Sequence, residues 1–155
     1  MADDSLGLTG IELLWPLTKV YGCMSAAFIA LGLYFGGLEA PLVGMALGTL
    51  GWPLGEYVMH RFVQHGGLLS GNYVSNHRKH HADPTVAEHF IYRLEQTLPI
   101  VPFILAESWL VTWEPFAMLA TSGAILLCYV ANEWVHFAAH RPALTQHRPW
   151  LQRLT

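Results

Sequence analysis

Four segments of the chain consist almost entirely of apolar residues, and each carries only one charged residue. They cover residues 17–37, 41–59, 98–113 and 116–135. The first, second and fourth have 21, 19 and 20 residues, close to the roughly 20 that a helix needs to span a bilayer. The third has 16 residues and contains Glu107, which predicts a short or re-entrant helix. The pattern predicts an all-α integral membrane bundle of about four transmembrane helices.

The composition agrees with a membrane location. Hydrophobic residues make up 53% of the 155 residues and charged residues 12%, about half of the roughly 25% typical of soluble domains. A soluble bundle with unusually apolar helices is the alternative, but four such segments in one short chain favour the membrane. The length suits a single domain, residues 1–155. Two cysteines exclude a disulfide scaffold, and a net charge of −3 argues against nucleic acid as a partner.

Charged residues predict the orientation of such a bundle. With four crossings, all eight basic residues fall on one face, while the turns at Glu39 and Glu114 lie on the other. Positive charge favours the cytoplasmic side, so both termini and the loop 61–97 are expected in the cytoplasm. Residues 1–5 are acidic and lack the basic start of a cleaved signal peptide.

The histidines form three groups that follow the predicted helices. The chain has nine histidines, none before residue 60. Seven of them occur as HxxxxH, HxxHH and HxxxH motifs: His60 and His65, then His77, His80 and His81, then His136 and His140. The first and last motifs stand where the second and fourth apolar segments end, and the middle one lies in the predicted cytoplasmic loop.

Spacing decides whether the imidazoles of one motif can meet. Residues three or four apart share a helix face, so the HxxHH and HxxxH motifs can each direct their rings to one point. His60 and His65 are five apart, which a regular helix separates by about 140°. They converge only if the helix unwinds or contains a π-bulge near residues 64–66, a feature common at functional sites.

Seven imidazoles on one membrane face predict a metal site, because imidazole is a leading ligand of zinc, iron and copper. More ligands than one tetrahedral site can use favour two ions. A single interfacial histidine would instead be an amphipathic anchor. His89 and His147 are additional candidate ligands, although surface polarity explains them equally well. Glu56 and Glu133 precede His60 and His136 and either accept the second ring proton of those imidazoles or are ordinary interfacial carboxylates.

These motifs resemble those of the fatty acid hydroxylase and sterol desaturase superfamily of membrane histidine-box oxygenases. The resemblance rests on GEYVMHRFVQH (55–65), NHRKHHADP (76–84) and NEWVHFAAHRP (132–142) and covers roughly residues 40–142. It implies a cytoplasmic di-iron centre that hydroxylates or desaturates a lipid C–H bond with O2. By box position it implies these metal ligands: His60, His65, His77, His80, His81, His136 and His140.

The chain departs from the family pattern after its third box. Family members usually carry a further HxxHH box there, and this sequence has only His147. A metal-binding membrane protein without oxygenase activity, with zinc in place of iron, is therefore the alternative function. No haem-attachment or flavin motif is present, so an oxygenase would take electrons from a separate electron-transfer protein. Its lipid substrate would enter from the bilayer with the apolar tail between helices.

Two other classes of membrane metalloprotein fit the histidines less well. A b-type haem needs ligands that face each other across a bundle, whereas these histidines follow helix ends. A metal transporter would place ligands near the bilayer midplane. Within the helices, Gly44, Gly48 and Gly51 are expected to allow close helix approach.

Overall fold

The computed structural model describes residues 6–65, 94 and 97–139. Every element in this part is helical, and it contains no strand. This confirms the all-α prediction and the expected four helices. The α-helices are α1 (Leu6–Gly36), α2 (Glu39–Val58), α3 (Val101–Thr112) and α4 (Pro115–Ala139); the π-helix Met59–His65 continues α2, and the 3-10 turn Leu98–Ile100 leads into α3.

Two short turns join consecutive helices at one end of the bundle. Gly37 lies in the turn between α1 and α2. Its φ of 68° is a left-handed conformation that glycine adopts without steric cost. Between α3 and α4, the Glu114 carboxylate accepts the backbone N–H of Ala117. This caps the first turn of α4, where Pro115 has no N–H that needs a partner.

Helix α4 is the central helix, because α1, α2 and α3 all pack against it. It runs antiparallel to α1. At the start of α4, Phe116 lies close to Gly32 and Gly36. Further along, the Ser25 hydroxyl donates to the Gly123 carbonyl over 2.7 Å.

Helix α2 runs parallel to α4 and approaches it closely through glycines. A Cβ added at Gly48 would stand 2.5 Å from the Thr121 carbonyl oxygen, so only a glycine fits there without a shift. Gly44 lies equally tightly against Ala117. The predicted role of these two glycines is confirmed. It is wrong for Gly51, where an added Cβ would meet no atom within 4 Å because this residue lies on the outward side of α2.

The outer surface of the described bundle is strongly apolar. Large exposed hydrophobic side chains occur on all four helices, including Phe35, Leu50, Phe103 and Leu127. Two helical segments are long and apolar enough to cross a membrane, Leu14–Gly36 with 23 residues and Pro115–Ala139 with 25.

The other two predicted spans do not reach that standard. Helix α2 has 20 residues but a lower hydropathy, since it contains several glycines, two prolines and two glutamates. The Leu98–Thr112 segment is apolar but short.

Candidate metal centre at one end of the bundle

The π-helix brings two predicted ligands together. His60 and His65 both lie in the seven-residue π-helix Met59–His65, and their ring centroids are 4.8 Å apart with planes inclined by 52°. The wider π-helical turn, with its i→i+5 hydrogen bonds, places residues five apart on one side of the helix. The predicted condition for convergence is met, and the two imidazoles converge.

The register between α2 and α4 shows which residues lie level with this pair. Along the interface, Gly48 lies beside Thr121 and Ala124, and the Trp52 ring lies 6.3 Å from the Tyr129 ring. Because α2 is regular up to Val58 and runs parallel to α4, each turn of α2 matches a turn of α4. The same register places His60, two residues beyond the end of α2, near the level of His136. Both histidines therefore lie at the end of the bundle opposite the two short turns.

Two carboxylates lie one helical turn inside the histidines. Glu56 precedes His60 on α2, and Glu133 precedes His136 on α4. Both side chains are partly buried, and they are close enough for their charges to interact. Their position fits the predicted role as acceptors of imidazole ring protons, which stays a prediction.

Aromatic and hydroxyl side chains lie next to Glu56 and Glu133, further from the histidine end of the bundle. The Tyr21 hydroxyl and Thr97 Oγ1 are 2.6 Å apart, and the Tyr21 ring meets the Tyr129 ring edge-on at 5.3 Å. The Trp134 indole N–H donates to Thr18 Oγ1 over 2.9 Å. The sequence pattern did not identify these residues. The available signal was two hydrogen-bonding residues, Thr18 and Tyr21, three apart in the first apolar segment.

The described basic residues lie at the histidine end of the bundle, and the glutamates of the two short turns lie at the other end. Lys19 and Arg61 are exposed at the histidine end, and the Lys19 ammonium lies 5.7 Å from the centre of the Trp15 ring. Glu39 and Glu114 lie at the end that carries the turns.

The distance between the two histidine rings is compatible with a shared cation. Two imidazoles that each place a nitrogen about 2 Å from one ion, at an angle near tetrahedral, have ring centres about 5 Å apart. The observed 4.8 Å between His60 and His65 agrees with this. Residues 6–65, 94 and 97–139 contain no group of three or more histidine, cysteine or acidic side chains that could hold a metal ion. The other predicted ligands, His77, His80, His81 and His140, lie outside the described residues, as do His89 and His147.

Comparison of the chain with protein-family models, with curated proteins and with solved structures gives no match.

Proposed function

We propose that this protein is a membrane-bound di-iron oxygenase that hydroxylates or desaturates a lipid C–H bond. The observation that carries the proposal is the convergence of His60 and His65 in a π-helix, at the same end of the bundle as His136. A regular α-helix would have been equally compatible with the apolar pattern and would have turned these rings apart. The resemblance of the three histidine motifs to the fatty acid hydroxylase and sterol desaturase superfamily supplies the reaction class.

The surface supports a membrane location. Fully solvated proteins rarely expose large contiguous apolar patches. Here the exposed residues of every helix include large hydrophobic side chains. In the proposed topology all four helices insert, with Leu98–Thr112 as the short one. The histidine end, which carries Lys19 and Arg61, and both chain termini face the cytoplasm.

The proposed ligand set combines described and undescribed residues. His60, His65 and His136 would provide imidazoles from the bundle, and His77, His80, His81 and His140 would complete the centre. Bound iron would supply O2 activation and the oxidation of the C–H bond, and a separate protein would supply electrons. The chain itself orients the rings, through Glu56 and Glu133, and keeps water from the reacting carbon.

Helix packing constrains where a lipid substrate can lie. The glycine contacts close the α2–α4 interface at Gly44 and Gly48 and the α1–α4 interface at Gly32 and Gly123. In the proposal, a lipid tail that enters from the bilayer would therefore lie along the outer, apolar surface of these two helix pairs rather than within their glycine contacts.

Product analysis tests the oxygenase proposal. Lipids from cells that express the wild-type protein are compared by mass spectrometry with those from cells that express His60→Ala, and Tyr34→Phe serves as a control because Tyr34 is 81% exposed near the opposite end. We expect a lipid that has gained one oxygen atom or lost two hydrogens with wild type and control, and none with His60→Ala. The same product from His60→Ala would contradict the proposal.

A metal-binding membrane protein without oxygenase activity is the second candidate. The described pair of imidazoles is the observation behind it, because two histidine rings 4.8 Å apart can contribute to a zinc site without any oxygen chemistry. Purified protein that contains zinc and is expressed without any change in cellular lipids would support this candidate.

A further inference from the structure

Helix α3 contains a carboxylate within an otherwise apolar stretch. Glu107 is the only charged residue of Leu98–Thr112. Its side chain is exposed, and no hydrogen bond or ion pair joins it to another residue in the part of the chain that the structure describes. Ionisable residues in membrane helices normally face the bundle interior or pair with an opposite charge. A partner for this carboxylate therefore has to be sought outside the described bundle.

The packing of α3 turns Glu107 outward. Val101 and Ser108, seven positions apart, are buried. Ile104 and Leu105 lie on the same side, between them, and pack against the hydrophobic core. At 100° per residue, Glu107 lies about 120° around the helix from the middle of this inner face. It therefore faces the surroundings of the bundle rather than α4.

Three large apolar side chains surround the carboxylate on the outer face. Phe103 precedes Glu107 by four positions, and Leu110 and Val111 follow it by three and four, so all three are its neighbours on the helix surface. They are 73%, 62% and 56% exposed. These four residues, which we call the α3 stripe, combine a large apolar contact area with one central negative charge.

In a bilayer the carboxylate would lie below the level of the headgroups at the turn end. Glu107 lies five residues before Thr112, the last residue of α3, which is about 8 Å along the helix axis. Helix side chains lean towards the N-terminus of their helix, so the carboxylate leans away from that end. Trp113, exposed at the turn, stands where an interfacial aromatic residue is expected. A cationic side chain at the depth of Glu107 would neutralise a charge that is costly in lipid.

Charge decides between a second copy and a different protein as the partner. A second copy in the same orientation would bring its own Glu107 to the same depth, where the two carboxylates repel each other. The described basic residues of that copy, Lys19 and Arg61, lie towards the histidine end, so neither is at the level of Glu107. A helix of different sequence, with a basic residue at that level, complements the α3 stripe in both charge and polarity.

We propose that the α3 stripe is a docking surface for a transmembrane helix of another protein that carries a lysine or arginine at the level of Glu107. The three apolar side chains pack against that helix, and the ion pair with Glu107 selects it. The inference rests on the membrane location in the proposed function, but not on the metal centre or on oxygenation.

The experiment uses a synthetic polyleucine transmembrane peptide with one lysine about five residues from one end as the probe. The reference is the same peptide with leucine at that position. Binding to the labelled full-length protein in phosphatidylcholine vesicles is measured by fluorescence energy transfer. We expect wild type to bind the lysine peptide at least about 5-fold more tightly than the leucine peptide, the lower end for polar contacts between membrane helices. Glu107→Leu should abolish this preference, and Glu107→Asp should keep it.

The matched control is Glu39→Gln, which neutralises another exposed glutamate at the turn end, outside α3, and should leave the preference unchanged. Equal affinities of the lysine peptide for wild type and Glu107→Leu would overturn the docking surface. If Glu107→Leu does not fold, equal affinities of the two peptides for wild type would overturn it. Energy transfer between two labelled copies of wild type that Glu107→Leu abolishes would assign the stripe to a dimer of this chain and also overturn the proposal.

Other outcomes separate this inference from the proposed function. Wild-type protein that does not float with the vesicles would contradict the membrane location and overturn both. Wild-type protein that inserts and prefers the lysine peptide, but binds no metal, would contradict the proposed function and support the docking surface.

Discussion

The imidazole rings of His60 and His65 lie 4.8 Å apart although five positions separate the two residues. A regular α-helix would turn these side chains about 140° away from each other. The wider turn of the π-helix Met59–His65 greatly reduces that difference. The pairing of the two histidines therefore depends on the number of residues between them as much as on their identity.

Changing the number of residues between His60 and His65 should change metal affinity in a predictable direction. Deletion of Phe62 leaves the histidines four apart, which places them on one face of a regular α-helix, so Co²⁺ affinity should stay near the wild-type value. Insertion of an alanine after Phe62 leaves them six apart, and the affinity should fall by about 10-fold or more. The substitution Phe62→Ala, which keeps the length, is the control. An insertion variant that binds Co²⁺ as tightly as wild type would show that the pair is not a ligand pair.

The close contact between α2 and α4 should be sensitive to a single methyl group. In Gly48→Ala the new Cβ meets the Thr121 carbonyl oxygen at 2.5 Å and the Ala124 Cβ at 3.0 Å, and such overpacking costs about 1–3 kcal/mol. In Gly51→Ala the Cβ meets no atom within 4 Å, so the free energy of unfolding should stay constant or rise by roughly 0.5–1 kcal/mol. Denaturant titration in detergent measures both. Equal effects of the two substitutions would contradict the described packing.

The proposed orientation predicts which residues are reached from outside the cell. In a background in which Cys23 and Cys128 are replaced by serine, Leu38→Cys marks the turn end and Arg61→Cys the histidine end; both residues are exposed. A membrane-impermeant thiol reagent added to intact cells should label Leu38→Cys. It should label Arg61→Cys only after permeabilisation, because the proposed orientation places the basic end in the cytoplasm. Labelling of Arg61→Cys in intact cells would contradict the proposed orientation.

Much of the fold could be predicted because apolar segments and helices coincide in this chain. The segment 41–59 became α2, Glu39–Val58, and 116–135 became α4, Pro115–Ala139. The start of α1 was missed by eleven positions, since the helix begins at Leu6 and the segment at 17. Hydropathy reports the part of a helix that suits lipid, whereas helix formation itself needs only compatible backbone conformations and hydrogen bonds.

The site was predictable only where its parts are local. The five-residue spacing of His60 and His65 predicts that their rings converge only if the helix is not a regular α-helix there. The structure has a π-helix at this position. The bond between Tyr21 and Thr97 joins residues 76 positions apart, and no local pattern marks such a pair. Gly51 was grouped with Gly44 and Gly48 by composition, but residues 44, 48 and 52 form the face of α2 that meets α4.

The central claim is that imidazoles at one end of this bundle hold metal ions. Quantification of metal in the purified protein by mass spectrometry tests it directly, with His60→Ala, His136→Ala and the distant control Tyr34→Phe prepared in the same way. We expect close to two iron or zinc ions per chain in wild type and control and a clear loss in both histidine variants. Wild-type protein without bound metal, or histidine variants with unchanged metal content, would contradict the claim.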